Sequence, residues 1–321
     1  MITIGLITSR LEPRLDWFFD SLRRQEGVEV VKQIVVVDNL AQEGDGWGER
    51  DVGNHFGAHS IMADNGILKM GISVRFIPPK PTVWAGPHRL TKQDWWHASN
   101  ARNTWLCEAT QPWCVGLDDR CVLEPGWLAA VLEAVKGNYA VFGSYEKRHG
   151  LVVEDGVITD PGVTNAVDHR ETECRKRGIV MPFRMPPEWS YGCTFALPTA
   201  WALEVNGFDE TCDGASAEDS IFGMYLKNCG KALKYDYRMK VIQDRTPGQT
   251  GPAMIRRDKG VSPNDKSHAQ LAMLRPLKRS MHQWDLNTVR ADRLAGKPWP
   301  IPTGPTHDWY DGQPLSEMTP T

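Results

Sequence analysis

Two pairs of adjacent carboxylates are the groups in this chain best suited to chemistry. Asp118-Asp119 ends a short apolar run, Trp113 to Leu117, and Glu218-Asp219 leads into the segment Ser220 to Cys229. A carboxylate pair at the carboxyl end of a buried strand lies where open α/β sheets hold their ligands. There it can bind a divalent cation. A carboxylate at a helix start can accept a proton from an attacking hydroxyl, or it can merely cap the helix and complement its dipole. Arg120 and Arg245 accompany these acids. An arginine cannot ligate a metal, but its planar fork pairs with phosphate.

The elements that must position these groups read as an alternating β and α chain. Ile2 to Thr8 is a continuous apolar run and predicts a buried strand. Pro13 opens a helix in which Leu15, Phe18, Phe19 and Leu22 recur at helical spacing. Val30 to Val37 predicts a second buried strand ending in Asp38-Asn39. Two strands joined by such a helix form a right-handed βαβ unit in a parallel sheet. Ser73 to Ile77, Trp113 to Leu117, Tyr139 to Tyr145 and Trp189 to Leu197 follow as further strands, with Gly192 near the centre of the last. Between Trp95 and Gln111 the apolar residues form no clean stripe, yet Ala98, Ala101, Trp105, Cys107 and Ala109 favour a buried helix. Further helices are expected from Pro125 to Lys136, Thr199 to Val205 and Ser220 to Cys229. Gln42 to Gly71 and the polar stretch up to Pro187 read as loop excursions.

Ala101-Arg102-Asn103, then Leu117-Asp118-Asp119, then Leu123 to Leu128 (LEPGWL) come at intervals that resemble nucleotide-sugar glycosyltransferases of the GT-A fold, family-2 type. The string from Phe195 to Glu210, FALP to GFDE, and the following Ala217-Glu218-Asp219 resemble the same family more specifically. The resemblance covers about Ile2 to Pro247. It implies an α/β fold with a central, mostly parallel Rossmann-like sheet flanked by helices, followed by a C-terminal helical and extended appendage. It also implies a division into a nucleotide-binding half (1–125), an acceptor and catalytic half (126–247) and the appendage (248–321).

The resemblance further implies roles. Thr8, Ser9, Arg10, Asp38 and Arg102 would hold the nucleotide, with Asp118, Arg120 and Arg245 at the diphosphate. Asp219, with Glu218 beside it, would be the catalytic pair, Asp219 deprotonating the acceptor in an inverting, single displacement. Trp189, Tyr191 and Gly192 would wall the sugar and acceptor. Arg120 stands where the family has its last Asp and Gln243 where many members have His, so either Mn²⁺ or Mg²⁺ is expected at Asp118 or Asp119, or Arg120 or Arg245 replaces the ion. The donor is expected to be a UDP-sugar. The acceptor is left open between a glycan, a protein and a nucleic acid such as hydroxymethylated DNA.

Composition sets the bounds around this reading. With 321 residues, 41% apolar and 24% charged, the chain can bury a full α/β core. Its net charge of −3 favours no polyanion overall, but the stretch 251–300 carries ten Lys/Arg against four Asp. That stretch reads as a basic, mostly helical appendage from Ser267 to Leu294, suited to an anionic polymer or to bracing the core. No apolar run of about 18 residues and no secretory leader are seen, and seven Cys include no C-x-x-C pair, so a cytoplasmic, reducing setting is expected. Cys107, Cys114 and Cys121 fall on different elements and read as small buried residues, and His169 with Cys174 as part of a solvated face. Two rivals remain. A nucleotidyltransferase lacks its Gly-rich, Lys-containing phosphate loop here, and a degenerate nucleotide- or sugar-binding module would bind without turnover.

Overall fold

The computed structural model describes residues 1–10, 12–41, 66–89, 94–213, 217–246, 278–280 and 284–302. Its strands are β1 (Ile2–Thr8), β2 (Val31–Asp38), β3 (Ser73–Ile77), β4 (Trp113–Asp118), β5 (Cys121–Leu123), β6 (Ala140–His149), β7 (Val152–Glu154), β8 (Val157–Asp160), β9 (Val163–Val167), β10 (Phe183–Arg184), β11 (Thr194–Pro198) and β12 (Leu233–Asp244). Its helices are α1 (Leu15–Arg23), α2 (Ala98–Glu108), α3 (Trp127–Gly137), α4 (His169–Lys176), α5 (Thr199–Glu204), α6 (Glu218–Asn228) and α7 (Leu286–Leu294).

The apolar β-branched runs take the middle of a ten-stranded sheet, in the order β10-β12-β6-β11-β4-β1-β2-β3, with β5 on β12 and β9 on β6. β3, β2, β1 and β4 are mutually parallel. β11 runs against both β4 and β6, and β12 runs with β6. The row is therefore mostly parallel, with β11 reversed inside it. Helices cover both faces, as a parallel sheet requires. Leu15, Phe18 and Leu22 of α1 and Leu128 and Val131 of α3 pack into one core. α2, α5, α6 and α7 build the other, through Trp105, Leu203, Phe222 and Leu286.

Every residue of α2 is buried, including Asn100, Arg102, Asn103, Thr104 and Glu108. A helix enclosed on all sides has no apolar stripe to display, which is why its sequence shows none. Gly5 lets it approach β1: a Cβ there would sit 1.9 Å from the Trp105 ring.

Two expectations change. Trp189 to Leu197 is not one strand, because Pro187–Trp189 forms a 3-10 turn and β11 begins only at Thr194. Gly192 thus precedes the strand, and its N–H serves a side chain rather than the sheet. The polar excursion before Pro187 holds the β7-β8 hairpin, β9 and α4. Asp168 caps α4 by accepting from Arg170 N at 2.9 Å, and its carboxylate pairs with the Arg170 guanidinium where both are fully buried. This order comes from a buried ion pair, and apolar periodicity could not reveal it. The basic appendage is described only in part: α7 ends at Leu294 as expected, while 267–277 and most of the Gln42 to Gly71 excursion lie outside the described residues. Among the described residues no helix is long and apolar enough to cross a membrane.

Candidate active site at the carboxyl edge of the sheet

Strand register gathers the predicted residues at one edge. Thr8 is opposite Asp38, and Ile7 is opposite Asp118 on the other side of β1. The reversed β11 starts at that same edge, with Thr194 opposite Leu117, so Tyr191 and Gly192 arrive beside Asp118. β12 ends there too, Gln243 lying opposite Cys121. The backbone N–H of Arg245 continues the pairing to Arg148 O at 2.7 Å.

Arg102, on α2, ties the two acidic pairs together. Its Nη1 donates to Glu218 Oε1 at 2.7 Å, and its Nη2 to Asp118 Oδ1 at 3.2 Å and to Gly192 O at 3.5 Å. Burial works against its charge, but the carboxylates of Glu218, Asp118 and Asp219 outweigh burial and hold its pKa above the ordinary arginine value. A Cβ at Gly192 would lie 2.6 Å from the same guanidinium, so only glycine admits this approach.

Asp219 heads α6 in a half-buried position. Its Oδ2 accepts from Gly192 N at 2.8 Å and its Oδ1 from Ser220 N at 2.7 Å. Burial and the adjacent Glu218 raise its pKa to about 6, against the pull of Arg102 and the two N–H donors. A carboxylate so poised is ionised near neutrality and still basic enough to take a proton. Ala217, just before it, has φ 79, a left-handed conformation that costs a non-glycine residue about 1 kcal/mol. The neighbouring residues 214–216 lie outside the described residues.

Beyond Asp219 stands an aromatic wall. Tyr191 approaches Tyr145 at 6.2 Å and His169 at 5.9 Å between ring centroids, and His169 meets Trp189 edge-on at 6.1 Å. Arg170 backs Tyr191 at 4.1 Å. Trp189 and Tyr191 were named from the sequence. His169 was read there as part of a solvated face and Tyr145 was not singled out, since the fold alone brings them to this edge.

On the other side, at the ends of β2 and β3, a cleft is lined by Asn39, Lys80, Thr82, His88 and His97, among others. Asp38 is buried beside it. Desolvation raises its pKa to about 7, against the hydrogen bond from Leu40 N, and the charge of Asp119 adds to the rise. Among the described residues, Asp38 Oδ2, Asn39 Oδ1 and His97 Nε2 are buried polar atoms without a hydrogen-bond partner. Such groups call for a ligand or water. His97, whose Nδ1 pairs with Trp95 O at 2.8 Å, has its pKa lowered by burial to about 4 and is neutral. No motif around His97 marks it in the sequence. The nearby Trp84 and Trp95 stack on each other in the core at 5.8 Å.

The GFDE segment works as scaffold. Glu210 pairs with Lys80 and accepts from Asn103 Nδ2, both at 2.7 Å, while Asp209 accepts from Tyr225 at 3.0 Å. Asp213 accepts from Ser99 N at 2.7 Å and Asn100 N at 3.1 Å, supplying the start of α2 with the partner its first N–H groups need.

The acids expected to hold a metal are largely spent. Asp119 Oδ2 accepts from Thr8 Oγ1 at 2.6 Å and Oδ1 from Arg10 Nε at 3.1 Å, a buried arrangement. Arg120, expected at the diphosphate, instead forms a buried ion pair with Asp244 and donates to Glu12 O at 2.7 Å. Asp118 remains, half-exposed, between Arg102, the Gln243 amide nitrogen at 3.5 Å and the Arg245 guanidinium at 3.9 Å. No group of three His, Cys, Asp or Glu among the described residues is arranged to hold a metal ion. One carboxylate flanked by two guanidiniums does not suit a divalent cation. The described cysteines are all free thiols.

No family model matches the sequence, and no curated protein matches it. Solved structures do match in fold. GalNAc-T7, crystallised with UDP, GalNAc and Mn²⁺, superposes with a TM-score of 0.55 at 16% identity, over 94% of this chain and 59% of that one. S. aureus TarS 1-349 in complex with UDP-GlcNAc gives a TM-score of 0.54 at 12% identity, over 91% of this chain and 71% of that one. The chain thus spans well under two thirds of the first of these proteins. Sheet order, the acidic strand end and these superpositions together show that the chain has the GT-A fold of the nucleotide-sugar glycosyltransferases.

Proposed function

We propose that the chain is a glycosyltransferase that moves a sugar from a nucleotide-sugar, a UDP-sugar by preference, to an acceptor hydroxyl with inversion. The observation that carries this reading is the single guanidinium of Arg102 between Asp118 and Glu218, which gives the strand end and the head of α6 one shared cleft. The donor nucleoside would occupy the side of Thr8, Ser9, Arg10, Asp38 and His97, with its diphosphate near Asp118 and Arg245. Asp219 is the general base. The acceptor O–H gives its proton to Asp219 as the oxygen bonds to C1 of the sugar. In the same displacement the C1–O bond to the diphosphate breaks, and its electron pair goes to the β-phosphate oxygen. Glu218, committed to Arg102, acts by positioning rather than by proton transfer.

The aromatic wall of Trp189, Tyr191, Tyr145 and His169 favours a carbohydrate acceptor, since sugars present apolar faces to aromatic rings. A protein or a hydroxymethylated nucleic acid is the alternative. Both superposed proteins carry UDP or a UDP-sugar, which supports a uridine donor. The free thiols accord with a cytoplasmic setting. The reading is tested by incubating the protein with UDP-GlcNAc, UDP-GalNAc and UDP-glucose and following UDP release. Release that disappears in Asp219→Asn, with nucleotide binding retained, supports it. Binding without release in the unmodified protein would instead favour a non-catalytic module.

A further inference from the structure

Resting on that donor reading, we infer that the leaving diphosphate is met by the guanidinium of Arg245, backed by Arg102, in place of the divalent cation expected at Asp118 and Asp119. The argument begins with what surrounds Asp118. One of its oxygens faces Arg102 Nη2 at 3.2 Å and the other faces Arg245 Nη2 at 3.9 Å. An ion entering between them would meet two guanidiniums and the carboxylate of Asp118, because Glu218 is committed to Arg102. The second acid, Asp119, has both oxygens engaged by Thr8 and Arg10. Where a third ligand would come from the sheet edge, the chain has the neutral amide of Gln243 and an Asp244 committed to Arg120.

Arg245 has the opposite properties. Its backbone is fixed by the hydrogen bond to Arg148, so its side chain leaves a rigid strand end. The side chain is one-third exposed (33%), and Nη2 donates to Gln243 Oε1 at 3.2 Å. At 3.9 Å its contact with Asp118 is an ion pair without a hydrogen bond. A guanidinium has five N–H donors in a planar fork, which matches phosphate oxygens two at a time. As the C1–O bond breaks, charge gathers on the β-phosphate oxygen, and a preorganised donor there lowers the barrier without being displaced. Arg102 contributes from behind by holding Asp118 away from the incoming anion.

The test is calorimetric titration of the full chain with UDP, GDP, dTDP and uridine, in EDTA and again in millimolar MnCl₂. A diphosphate affinity that agrees within about threefold between the two buffers is expected. Arg245→Gln should weaken diphosphate binding about 10–100-fold in both buffers, the usual worth of one charge-assisted pair, while uridine binding stays within about twofold. Arg245→Lys should fall between. Diphosphate binding that appears only with Mn²⁺, or an Arg245→Gln protein that binds UDP as before, overturns the inference and leaves the glycosyltransferase reading intact. No diphosphate binding in either buffer overturns both, a result the metal arm alone cannot mimic. The comparison of buffers uses the unaltered protein, so it stands whatever the variants do to folding.

Discussion

Asp118 and Glu218, one at the end of β4 and the other at the head of α6, are held by the same guanidinium: Arg102 reaches the first at 3.2 Å and the second at 2.7 Å. This pairing makes one site of two distant parts of the chain, and it requires a fully buried helix to deliver the charge.

Removing that charge should therefore be costly. Arg102→Ala leaves the buried Glu218 without its partner, beside the half-exposed Asp118, and a loss of about 3–5 kcal/mol is expected. Urea unfolding measures it. Arg102→Lys, a point charge without the fork, should recover part of the stability but bridge only one acid. Equal stability of Arg102→Ala and the parent would contradict the bridge.

The pKa of Asp219, raised to about 6, sets the pH dependence of turnover. A base works ionised, so kcat/KM should rise as pH increases through about 6 and level off above it. Asp219→Asn should lower kcat by about 10²–10⁴-fold and leave donor affinity within a few-fold. A flat profile between pH 5 and 8 would remove Asp219 from the role of base.

Asp38 should impose its own pH dependence on stability. Folded, it keeps its proton up to about 7, while the unfolded chain releases it near the ordinary 3.8. Between those values the native state binds more protons, so its contribution to stability falls as pH rises from about 4 to 7 and is constant above. Asp38→Asn should flatten that slope, gaining about 2–4 kcal/mol relative to the parent at pH 8 compared with pH 4. Denaturant unfolding of both proteins at the two pH values decides it, and parallel slopes would refute it.

Helix α7 is expected to brace the core. Leu286 is fully buried, Arg290 donates twice to Ala109 O, at 2.7 and 3.0 Å, and Arg293 pairs with Glu108 at 2.9 Å. Leu286→Ala should cost about 2–5 kcal/mol. Arg293→Ala should cost less, because Arg75 still pairs with Glu108. Loss of turnover in Leu286→Ala without loss of stability would point instead to a direct part in the reaction.

The residue types and their spacing determined the scaffold. Runs rich in β-branched residues at Ile2 to Thr8 and Val31 to Val37 favour buried strands, and an apolar run ending in Asp118-Asp119 places its charges at a strand end. Which acids stay free there was a matter of tertiary structure alone. Asp119 and Arg120 look in sequence like ligand groups, but burial forced each to find a partner, Arg10 for one and Asp244 for the other. Those partners come from distant segments, so no local pattern could name them. Equally, His97, Tyr145 and His169 gained their positions from the packing of strands and helices around the edge. An unpaired charge is expensive to bury, and that cost, acting across the whole fold, selected Arg102 as bridge and left Arg245 half-exposed beside Asp118.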